Sequence, residues 1–572
     1  MKKHKIFITV FSIVSLLSIS SCETIDLDKT QDPFSLTPDK ASVEFLFNGI
    51  QEDFARQIEG DADYSNGDNW SSGGATNGDG LSLFGGQLTR IYAMSNTNAG
   101  DYATVFQASD SDDEWINFYA GLLPNIRLMN TLATKEGKLK QIGIAEFIEA
   151  YVMTAMVDFY GDIPYSEAGK GSGNFNPTVD SGASIYAKAL LLLDDAIVKF
   201  GSTAPNPSRE VFYNNNYANW IKAANTLKMR LYLQTRLADN TAIAKFNAIL
   251  SSGNYIQNSG EDLEYKWSGT SITNPDSRHP RFGLNYGPTG AGDYMSNWLM
   301  NTMSNLADPR IRYYFYRQRA AVPGQGGTAP DEQNLSCSLQ TAPAHYVAGG
   351  FTFCGLPNGY WGRDHGDVAG TPPDGFLRTT FGVYPAGGRF DGNNFANISA
   401  TAGAKGKGIT PILLASWVHF MKAEIALAQS NQALAKTEML EGITKSIAKV
   451  ISFGPNDPTI TTSLVPTAAN ITTYTTTVGN AWDTAPTPQD KWNVLAVQQF
   501  ISNFGNGIET YNYYRRTGYP TSLQPNRDAS PGGFMRSMYY PTNAVNNNKN
   551  ITQKASQTIP VFWDKNPSPI AN

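Results

Sequence analysis

The sequence predicts a mainly α-helical protein in which helix pairs form a scaffold and a large loop-rich insertion divides that scaffold. Apolar residues recur every three or four positions through long segments before residue 260 and after residue 407. Glycine, proline, asparagine and aromatic residues crowd the stretch between them, where such helical stripes become scarce. The chain has 572 residues and is 41% hydrophobic, which suffices for one large composite core.

The N-terminus predicts an export signal that ends at a lipid-attachment cysteine. Three lysines precede an apolar stretch from Ile6 to Ile19, and two serines then lead directly to Cys22. This stretch is too short and wrongly flanked for a membrane span. The pattern resembles a bacterial lipobox, in which acylation of the Cys22 sulfur adds roughly 0.8 kcal/mol of membrane affinity per buried methylene. A cysteine that lies by chance near an ordinary cleavage site is the alternative.

These features divide the chain into three parts. Residues 1–21 are predicted to be the lipoprotein signal peptide, and the polar, acidic residues 22–37 to be a lipidated tether. Residues 38–572 are predicted to form a single domain, because the insertion interrupts the scaffold without founding a second core. The scaffold comprises approximately residues 38–259 and 408–572, and the insertion approximately residues 260–407.

Helical periodicity dominates the first part of the scaffold. In EFIEAYVMTAMVDFYGDIPY, residues 146–165, the apolar side chains fit one face of a helix. Gly161 is predicted to end this helix, and Pro164 to prevent its resumption. Similar stripes occupy residues 115–132, 184–200 and 219–236. The pattern predicts helix pairs joined by short loops.

The insertion and the second part of the scaffold differ in character. In the insertion the sequence predicts loops, a few short strands and a helix around residues 295–306. Helices return at residues 411–429, with residues 441–450 as the partner helix. A threonine-rich loop is predicted for residues 458–488, and a last helical region, KWNVLAVQQFISNFGNGIETYNYYRRTGYP, follows it.

Two cysteines remain beyond the export signal. Cys337 and Cys354 are predicted to form a disulfide, because exported proteins occupy compartments in which disulfides persist. The alternative is a pair of free buried thiols, and a free-thiol count on the denatured, unreduced protein separates the two cases. Pairing would leave no thiol for nucleophilic catalysis.

Charge and motif content exclude several functions. Lys and Arg total 44 against 50 Asp and Glu, so the net charge of −6 provides no basic surface for nucleic acid. No GxSxG or GxxxxGK[ST] motif occurs, and none of the five histidines has metal-ligand spacing. The polar cluster of Asp364, His365 and Asp367 could ligate an ion, although an exposed turn is the favoured interpretation. We therefore expect no catalytic residue, no metal and no cofactor.

Aromatic residues in polar loops are the strongest indication of a function. The chain contains 10 Trp, 28 Tyr and 29 Phe. Rings in loops rich in Gly, Asn and Asp suit a sugar or peptide ligand, since the apolar face stacks while neighbouring amides and carboxylates bind hydroxyls. The alternative is that each ring packs its own loop onto the body. The predicted ligand-binding residues are Tyr64, Trp70, Tyr102, Trp267, Tyr286, Tyr360 and Trp361.

Several segments, taken in order, resemble the SusD/RagB family of outer-membrane nutrient-binding lipoproteins, and within it the SusD-like branch. Besides the lipobox, they are DFYGDIPYSEA (residues 158–168), IYAKALLLLDDAI (185–197), WIKAANTLKMRLYL (220–233), PILLASWVHFMKAEIALA (411–428), QQFISNFGNGIETYNYYRRTGYP (498–520), FMRSMYYP (534–541) and VFWD (561–564). The chain departs from the family pattern at Ala544, where Glu is usual, and at Phe562, where Trp is usual. Both positions lie in expected scaffold.

The resemblance implies tetratricopeptide-like helix pairs, a cell-surface position through the lipid on Cys22, and no catalysis. It also implies a partner, a SusC-type TonB-dependent transporter, to which the protein delivers an oligosaccharide or peptide. Two alternatives remain open. A surface glycan-degrading lipoprotein would need two carboxylates about 5 to 10 Å apart across a cleft, and a purely structural lipoprotein would bind the transporter but no ligand.

Overall fold

A computed structural model describes residues 41–60, 80–94, 100–270, 276–287, 290–322, 337, 340–367 and 377–566. Residues Val43–Asn572 form one compact unit. Helices dominate this unit and only short strands accompany them, which confirms the mainly α-helical prediction. Within the described residues, no helix combines the length and hydrophobicity that a membrane crossing requires.

The first part of the scaffold is a succession of packed helices. Its helices are α1 Val43–Glu59, α2 Leu81–Leu88, α3 Tyr102–Val105, α4 Asp112–Ile116, α5 Leu123–Lys135, α6 Leu139–Tyr160, α7 Gly182–Phe200, α8 Tyr217–Thr235 and α9 Ala242–Ser252, with a π-helical turn at Asn117–Leu122. A short antiparallel pair, β1 Ile163–Pro164 and β2 Val179–Asp180, connects α6 to α7.

Helix α6 is the central helix of this part. Of its 22 residues, all but Leu139 are buried, so it contacts neighbours on every side. It ends at Gly161, whose φ of +76° is strained for a residue with a Cβ, and Pro164 then lies in β1. The predicted end of this helix is therefore confirmed.

The insertion leaves and re-enters the scaffold at one place, because β3 Leu263–Lys266 pairs antiparallel with β6 Ile409–Leu413. Between these strands the described elements are short. They are the helices α10 Pro280–Asn285, α11 Asn297–Asn305, α12 Ile311–Tyr314 and α13 Ala344–Gly349, and the paired strands β4 Phe315–Tyr316 and β5 Thr380–Phe381. The predicted helix near residue 300 corresponds to α11.

The second part of the scaffold is mainly helical up to residue 517 and irregular after it, apart from one short helix. Its helices are α14 Ala415–Ala428, α15 Gln432–Ile451, α16 Ala468–Thr484, α17 Pro488–Ser502, α18 Gly507–Thr517 and α19 Thr542–Asn547. The partner of α14 begins nine residues earlier than residue 441, because the Asn431 side chain accepts a hydrogen bond from Leu434 N and caps its first turn.

The prediction of a threonine-rich loop at residues 458–488 is wrong, since α16 occupies most of it. Threonine has low helix propensity, but Tyr474, Val478 and Trp482 recur every four residues and pack into one apolar cluster with α14, α15 and α17. Thr467 and Asn470 form a capping box at the start of the helix. Burial of this apolar stripe overrides the local preference of the threonines.

The structure joins Cys337 and Cys354 in a disulfide, with Cα atoms 5.5 Å apart. Both sulfurs pack against the buried Trp361. Within the loop that this bond closes, the Tyr346 hydroxyl donates to Pro525 O at 2.7 Å, and His345 Nε2 lies 2.9 Å from Asn526 O. The disulfide therefore tethers a loop that supports residues 525 and 526.

Removing this disulfide is expected to destabilise the fold. The cysteines are 17 residues apart. Closing a loop of about this length lowers the entropy of the unfolded chain and thereby stabilises the folded state by about 3 kcal/mol. We expect the double variant Cys337→Ser, Cys354→Ser to lose that amount in urea denaturation and the denatured, unreduced wild type to show no free thiol from this pair. Equal denaturation midpoints for both proteins would contradict the prediction.

Segments that are distant in sequence meet at the buried carboxylate of Asp158, near the end of α6. Its oxygens accept hydrogen bonds from the Tyr186 hydroxyl, from Asn512 Nδ2 at 2.7 Å and from Trp563 Nε1 at 2.9 Å. Arg230 Nη2 lies 3.5 Å away. Five of the segments that carry the family resemblance thus share one polar centre, which explains these residues as scaffold.

The two arginines of the RRTGYP segment brace this scaffold. Arg515 donates to Asp158 O at 2.6 Å, and its guanidinium stacks on Tyr511. Arg516 forms two hydrogen bonds with Glu424 on α14, at 2.7 and 2.8 Å. Both arginine side chains are buried within the fold.

Candidate functional site

Five of the seven predicted ligand-binding aromatics lie in the described residues, and all five are buried. Their exposed fractions range from 0% for Trp361 to 6% for Tyr360. Three polar tips are engaged internally: the hydroxyl of Tyr286 donates to Phe381 O at 2.6 Å, Trp267 Nε1 donates to Thr410 Oγ1 at 2.9 Å, and the Tyr102 hydroxyl lies 3.1 Å from His365 Nε2.

This burial corrects the expectation that the five rings offer open stacking faces. The physical reason is that each ring carries a large apolar area, and four of the five join the other buried apolar side chains of the insertion. Tyr360 illustrates this, since the guanidinium of Arg317 covers its ring at 4.9 Å. The other two predicted residues, Tyr64 and Trp70, and the lipid-attachment residue Cys22 lie outside the described residues.

A polar cleft of about 410 Å³ opens beside Tyr102, the one predicted aromatic that lines it. Three segments contribute to it, the start of α3, residues 528–533 and residues 556–558, together with the single residue Tyr539. Its volume lies within the range of small-molecule sites. The lining residues are Asp101, Tyr102, Ala103, Asp528, Ser530, Pro531, Gly532, Gly533, Tyr539, Ser556, Gln557 and Thr558.

Backbone hydrogen bonds hold the first two segments together. Asp101 caps α3, its carboxylate accepting from Thr104 N at 2.9 Å and from Thr104 Oγ1 at 2.6 Å. Tyr102 N donates to Pro531 O at 3.1 Å. On the facing segment, Asp528 Oδ1 accepts from Ser530 N at 2.8 Å. Both aspartates are thus positioned by their own turns.

The third segment closes the cleft from the C-terminal side. Gln557 O accepts from the backbone N–H groups of Arg536 and Ser537, and Gln557 Nε2 donates to Phe106 O at 2.6 Å. Gly533 lies so close that an added Cβ would come within 2.6 Å of Thr558 Cγ2. Glycine at this position therefore permits the close approach of the two segments.

The cluster of Asp364, His365 and Asp367 lies behind the cleft and is buried, so the prediction of an exposed turn is wrong. Each side chain is 1% exposed. Asp364 Oδ1 accepts from Asn297 Nδ2 at 2.9 Å and from Gln524 Nε2 at 2.8 Å, while burial raises the pKa of Asp364 above its ordinary value. These contacts make the cluster a structural support.

His365 joins this support to the cleft wall. Burial lowers the pKa of His365 well below its ordinary value, with a further contribution from Arg90, so its imidazole is neutral. Its backbone carbonyl accepts from Arg527 N at 2.8 Å, and its ring faces the hydroxyl of Tyr102. The position of Tyr102 in the cleft therefore depends on the insertion as well as on α3.

The lining of the cleft presents polar groups of two kinds, carboxylates and hydroxyls. Carboxylates accept hydrogen bonds from ligand hydroxyls, and the hydroxyls of Ser530, Tyr539, Ser556 and Thr558 both donate and accept. In the described ranges, no group of three or more His, Cys, Asp or Glu side chains is arranged to hold a metal ion. The arrangement suits recognition of a polyol.

A second cavity, of about 300 Å³, lies on the helical scaffold between the loop after α9 and the helices α14 and α15. His419 and Lys422 line it, and both contact Glu438, at 2.6 and 2.7 Å. Lys445, also in the lining, pairs with Glu441 at 3.3 Å. This cavity carries cationic side chains, whereas the cleft beside Tyr102 carries none among its lining residues.

Sequence reasoning found Tyr102 but missed the rest of the cleft. The search favoured aromatics, while the lining is mainly small and hydroxylated residues from segments more than 400 positions apart. The run RDASPGG, residues 527–533, combines turn formers with an acid. It is the one local signal that could have identified this wall.

The family comparisons agree with the fold. A SusD-like family model described as "Starch-binding associating with outer membrane" matches residues 80–338, and a second, described as "Susd and RagB outer membrane lipoprotein", matches residues 380–561. Among curated proteins, none matches the chain by sequence.

Solved structures with the same fold cover almost the whole chain. A chitin-binding protein matches with 18% identity and a TM-score of 0.62, over 92% of this chain and 100% of that one. A SusD/RagB family protein from Bacteroides thetaiotaomicron matches with 18% identity and a TM-score of 0.61, over 92% and 100%. A chitin-binding SusD homologue from Flavobacterium johnsoniae matches with 17% identity and a TM-score of 0.61, over 92% and 99%. With both family models matched in order along the chain and this fold shared from end to end, the chain belongs to the SusD/RagB family of outer-membrane lipoproteins.

Proposed function

We propose that this protein is a cell-surface lipoprotein that captures a nutrient oligosaccharide in the cleft beside Tyr102 and delivers it to a SusC-type TonB-dependent transporter. The observation that carries the proposal is the cleft of about 410 Å³, whose lining combines five hydroxyl side chains, that of Tyr102 included, with two carboxylates. The family is described as starch-binding, and two similar structures are described as chitin-binding. A peptide is the second ligand class, since hydroxyls and carboxylates also bind amides.

Calorimetry of the mature lipoprotein, solubilised in detergent, tests the capture step against a panel of oligosaccharides and peptides. We expect an oligosaccharide to bind, and Tyr539→Ala to weaken that binding by about 2 kcal/mol, the cost typical of truncating an aromatic contact at the centre of a site. The matched control is Tyr232→Ala, on the outer part of α8 and outside the cleft. Equal affinities for the wild type and Tyr539→Ala would place binding elsewhere.

Tyr64 and Trp70 remain candidate stacking residues of the same ligand. Their alanine variants belong in the same titrations, because a buried aromatic contact costs about 2 kcal/mol when truncated. If Tyr539→Ala has no effect and one of these variants does, the capture site includes Tyr64 or Trp70 and is not the cleft.

Analysis of the same mixtures for cleavage products separates capture from the alternative of a glycan-degrading enzyme. A capture protein leaves the bound oligosaccharide intact after long incubation. Product accumulation that disappears in Asp528→Asn, with Asp101→Asn as the second variant, would instead assign a pair of catalytic carboxylates.

The lipid on Cys22 and the transporter complete the proposed role. We expect the wild type in the membrane fraction and Cys22→Ala in the soluble fraction, because loss of the acyl chains removes roughly 0.8 kcal/mol per buried methylene. Identical fractionation of both proteins would exclude the anchor. Co-purification of a TonB-dependent transporter with the wild type tests the partner, and a complex that never binds a ligand would support a purely structural lipoprotein.

A further inference from the structure

We infer that the cleft beside Tyr102 selects its sugar by charge: it takes uncharged and amine-bearing glycans and rejects acidic ones. Asp101 and Asp528 are the residues that determine this selection. The inference rests on the proposed function, because it concerns the glycan class that the same cleft captures.

The charges that face the ligand are all of one sign. The twelve lining residues include Asp101 and Asp528 and contain no Lys, Arg or His among the described residues. The two aspartates lie more than 400 positions apart in sequence, and each belongs to a separate turn. Two like charges on one cleft of about 410 Å³ set a negative potential within it.

Both carboxylates keep capacity for a ligand. Each ionised carboxylate offers about four acceptor sites. Asp101 receives two hydrogen bonds, both from Thr104, and Asp528 receives one from Ser530 N. The remaining sites can accept ligand hydroxyls or an ammonium group, whereas a ligand carboxylate or sulfate has no proton to donate to them.

The arginines near the cleft are engaged with other groups. Arg527, beside Asp528 in sequence, bonds to Asp367 and to the side-chain oxygen of Gln340. Arg90, behind Tyr102, donates from Nε to Gln524 O at 2.9 Å and from Nη1 to Leu88 O at 2.6 Å. Neither lines the cleft, so the aspartates dominate the charge that a ligand meets.

Simple electrostatics sets the size of the effect. Unit charges about 4 Å apart interact by about 1 kcal/mol in water and more strongly where the protein displaces water, which is at least about fivefold in affinity per contact. The effect weakens with salt because exposed charges are screened over about 10 Å at 0.1 M ionic strength. Charge selection therefore predicts that the affinity depends both on the charge of the ligand and on the ionic strength.

The test uses three β-1,4-linked tetramers of equal length: N-acetylglucosamine, which is neutral, glucosamine, which is cationic, and glucuronic acid, which is anionic. Calorimetry with the mature lipoprotein in detergent gives each affinity at low salt. We expect the neutral and cationic tetramers to bind at least about fivefold more tightly than the anionic one. Asp528→Asn should narrow this ratio by about fivefold, and Asp101→Asn should act in the same direction.

A control separates the cleft from the rest of the surface. Lys445→Gln, in the second cavity, should leave all three affinities unchanged. Raising the salt concentration from about 0.02 M to about 0.5 M should reduce the wild type's preference for the neutral and cationic tetramers over the anionic one. The same change should alter this preference little in the double variant Asp101→Asn, Asp528→Asn. This readout does not depend on one variant alone.

The outcomes distinguish the two proposals. If the glucuronic acid tetramer binds as tightly as the others, the charge selection is wrong while glycan capture stands. If the selectivity persists unchanged in the double variant, the aspartates are not its source and the inference fails. If none of the three tetramers binds, sugar capture by this cleft is wrong, and the charge selection falls with it.

Discussion

Asp158→Ala is expected to lower the free energy of unfolding by about 3 to 5 kcal/mol, the cost of removing one partner from a buried charged network. The carboxylate is fully buried, and its loss leaves the Tyr186 hydroxyl, Asn512 Nδ2 and Trp563 Nε1 without their acceptor. Arg230 also loses a nearby counter-charge at 3.5 Å. The effect is large because α6, α7, α8, α18 and the C-terminal segment all meet at this group.

Urea denaturation followed by circular dichroism measures this effect. Asp195→Ala is the matched control, because Asp195 is exposed on α7 and surface substitutions of this kind change stability by at most about 0.5 kcal/mol. A loss for Asp158→Ala no larger than that of Asp195→Ala would show that the network contributes no net stability.

Glu424→Ala is expected to cost a similar amount, about 3 to 5 kcal/mol, since it leaves two buried guanidinium groups uncompensated. Glu424 on α14 is fully buried. It accepts two hydrogen bonds from Arg516 and lies 3.0 Å from Arg236 Nη1. Burial lowers the pKa of Arg236, so this site disfavours an unpaired cation.

Two further variants make the measurement specific. Glu424→Gln keeps the shape of the side chain and removes its charge, so it isolates the electrostatic part of the loss. Glu441→Ala, on the exposed side of α15 with a side chain 48% exposed, is the control and should lose at most about 0.5 kcal/mol. If Glu424→Gln is as stable as the wild type, the charge of Glu424 does not stabilise the fold.

These two networks join three of the segments that resemble the family. DFYGDIPY supplies Asp158, NYYRRTGYP supplies Asn512 and Arg516, and PILLASWVHFMKAEIALA supplies Glu424. These three segments hold helices of the first and second parts of the scaffold against each other, and none of the three lines the cleft. Their role in this chain is structural.

The sequence predicted the long helices correctly because their signals are local. An apolar residue every three or four positions identifies α6, α7 and α8, and Gly161 ends α6 where a left-handed backbone is needed. The predicted ends of helices were less accurate where a capping side chain outside the apolar stripe determines them. The early start of α15, set by Asn431, is one example.

The candidate site was mostly beyond local reasoning. Tyr102, Asp528 and Thr558 are far apart in sequence, and no pattern within any one of their segments indicates that they share a cleft. The opposite error was to predict four buried rings as exposed, because their neighbours in sequence are polar. These rings are Trp267, Tyr286, Tyr360 and Trp361. In three dimensions these rings belong to the buried apolar interior of the insertion.

The sequence by itself determined the fold class, the family and the order of the helices, because periodicity, helix ends and recurrent segments are written along the chain. Only the tertiary structure decided that a threonine-rich segment forms α16, that Asp364, His365 and Asp367 are buried, and which polar residues share a cleft. The physical reason is that burial and ligand contacts are properties of surfaces brought together by folding. Helix periodicity and turn chemistry act over a few residues and can be read from them directly.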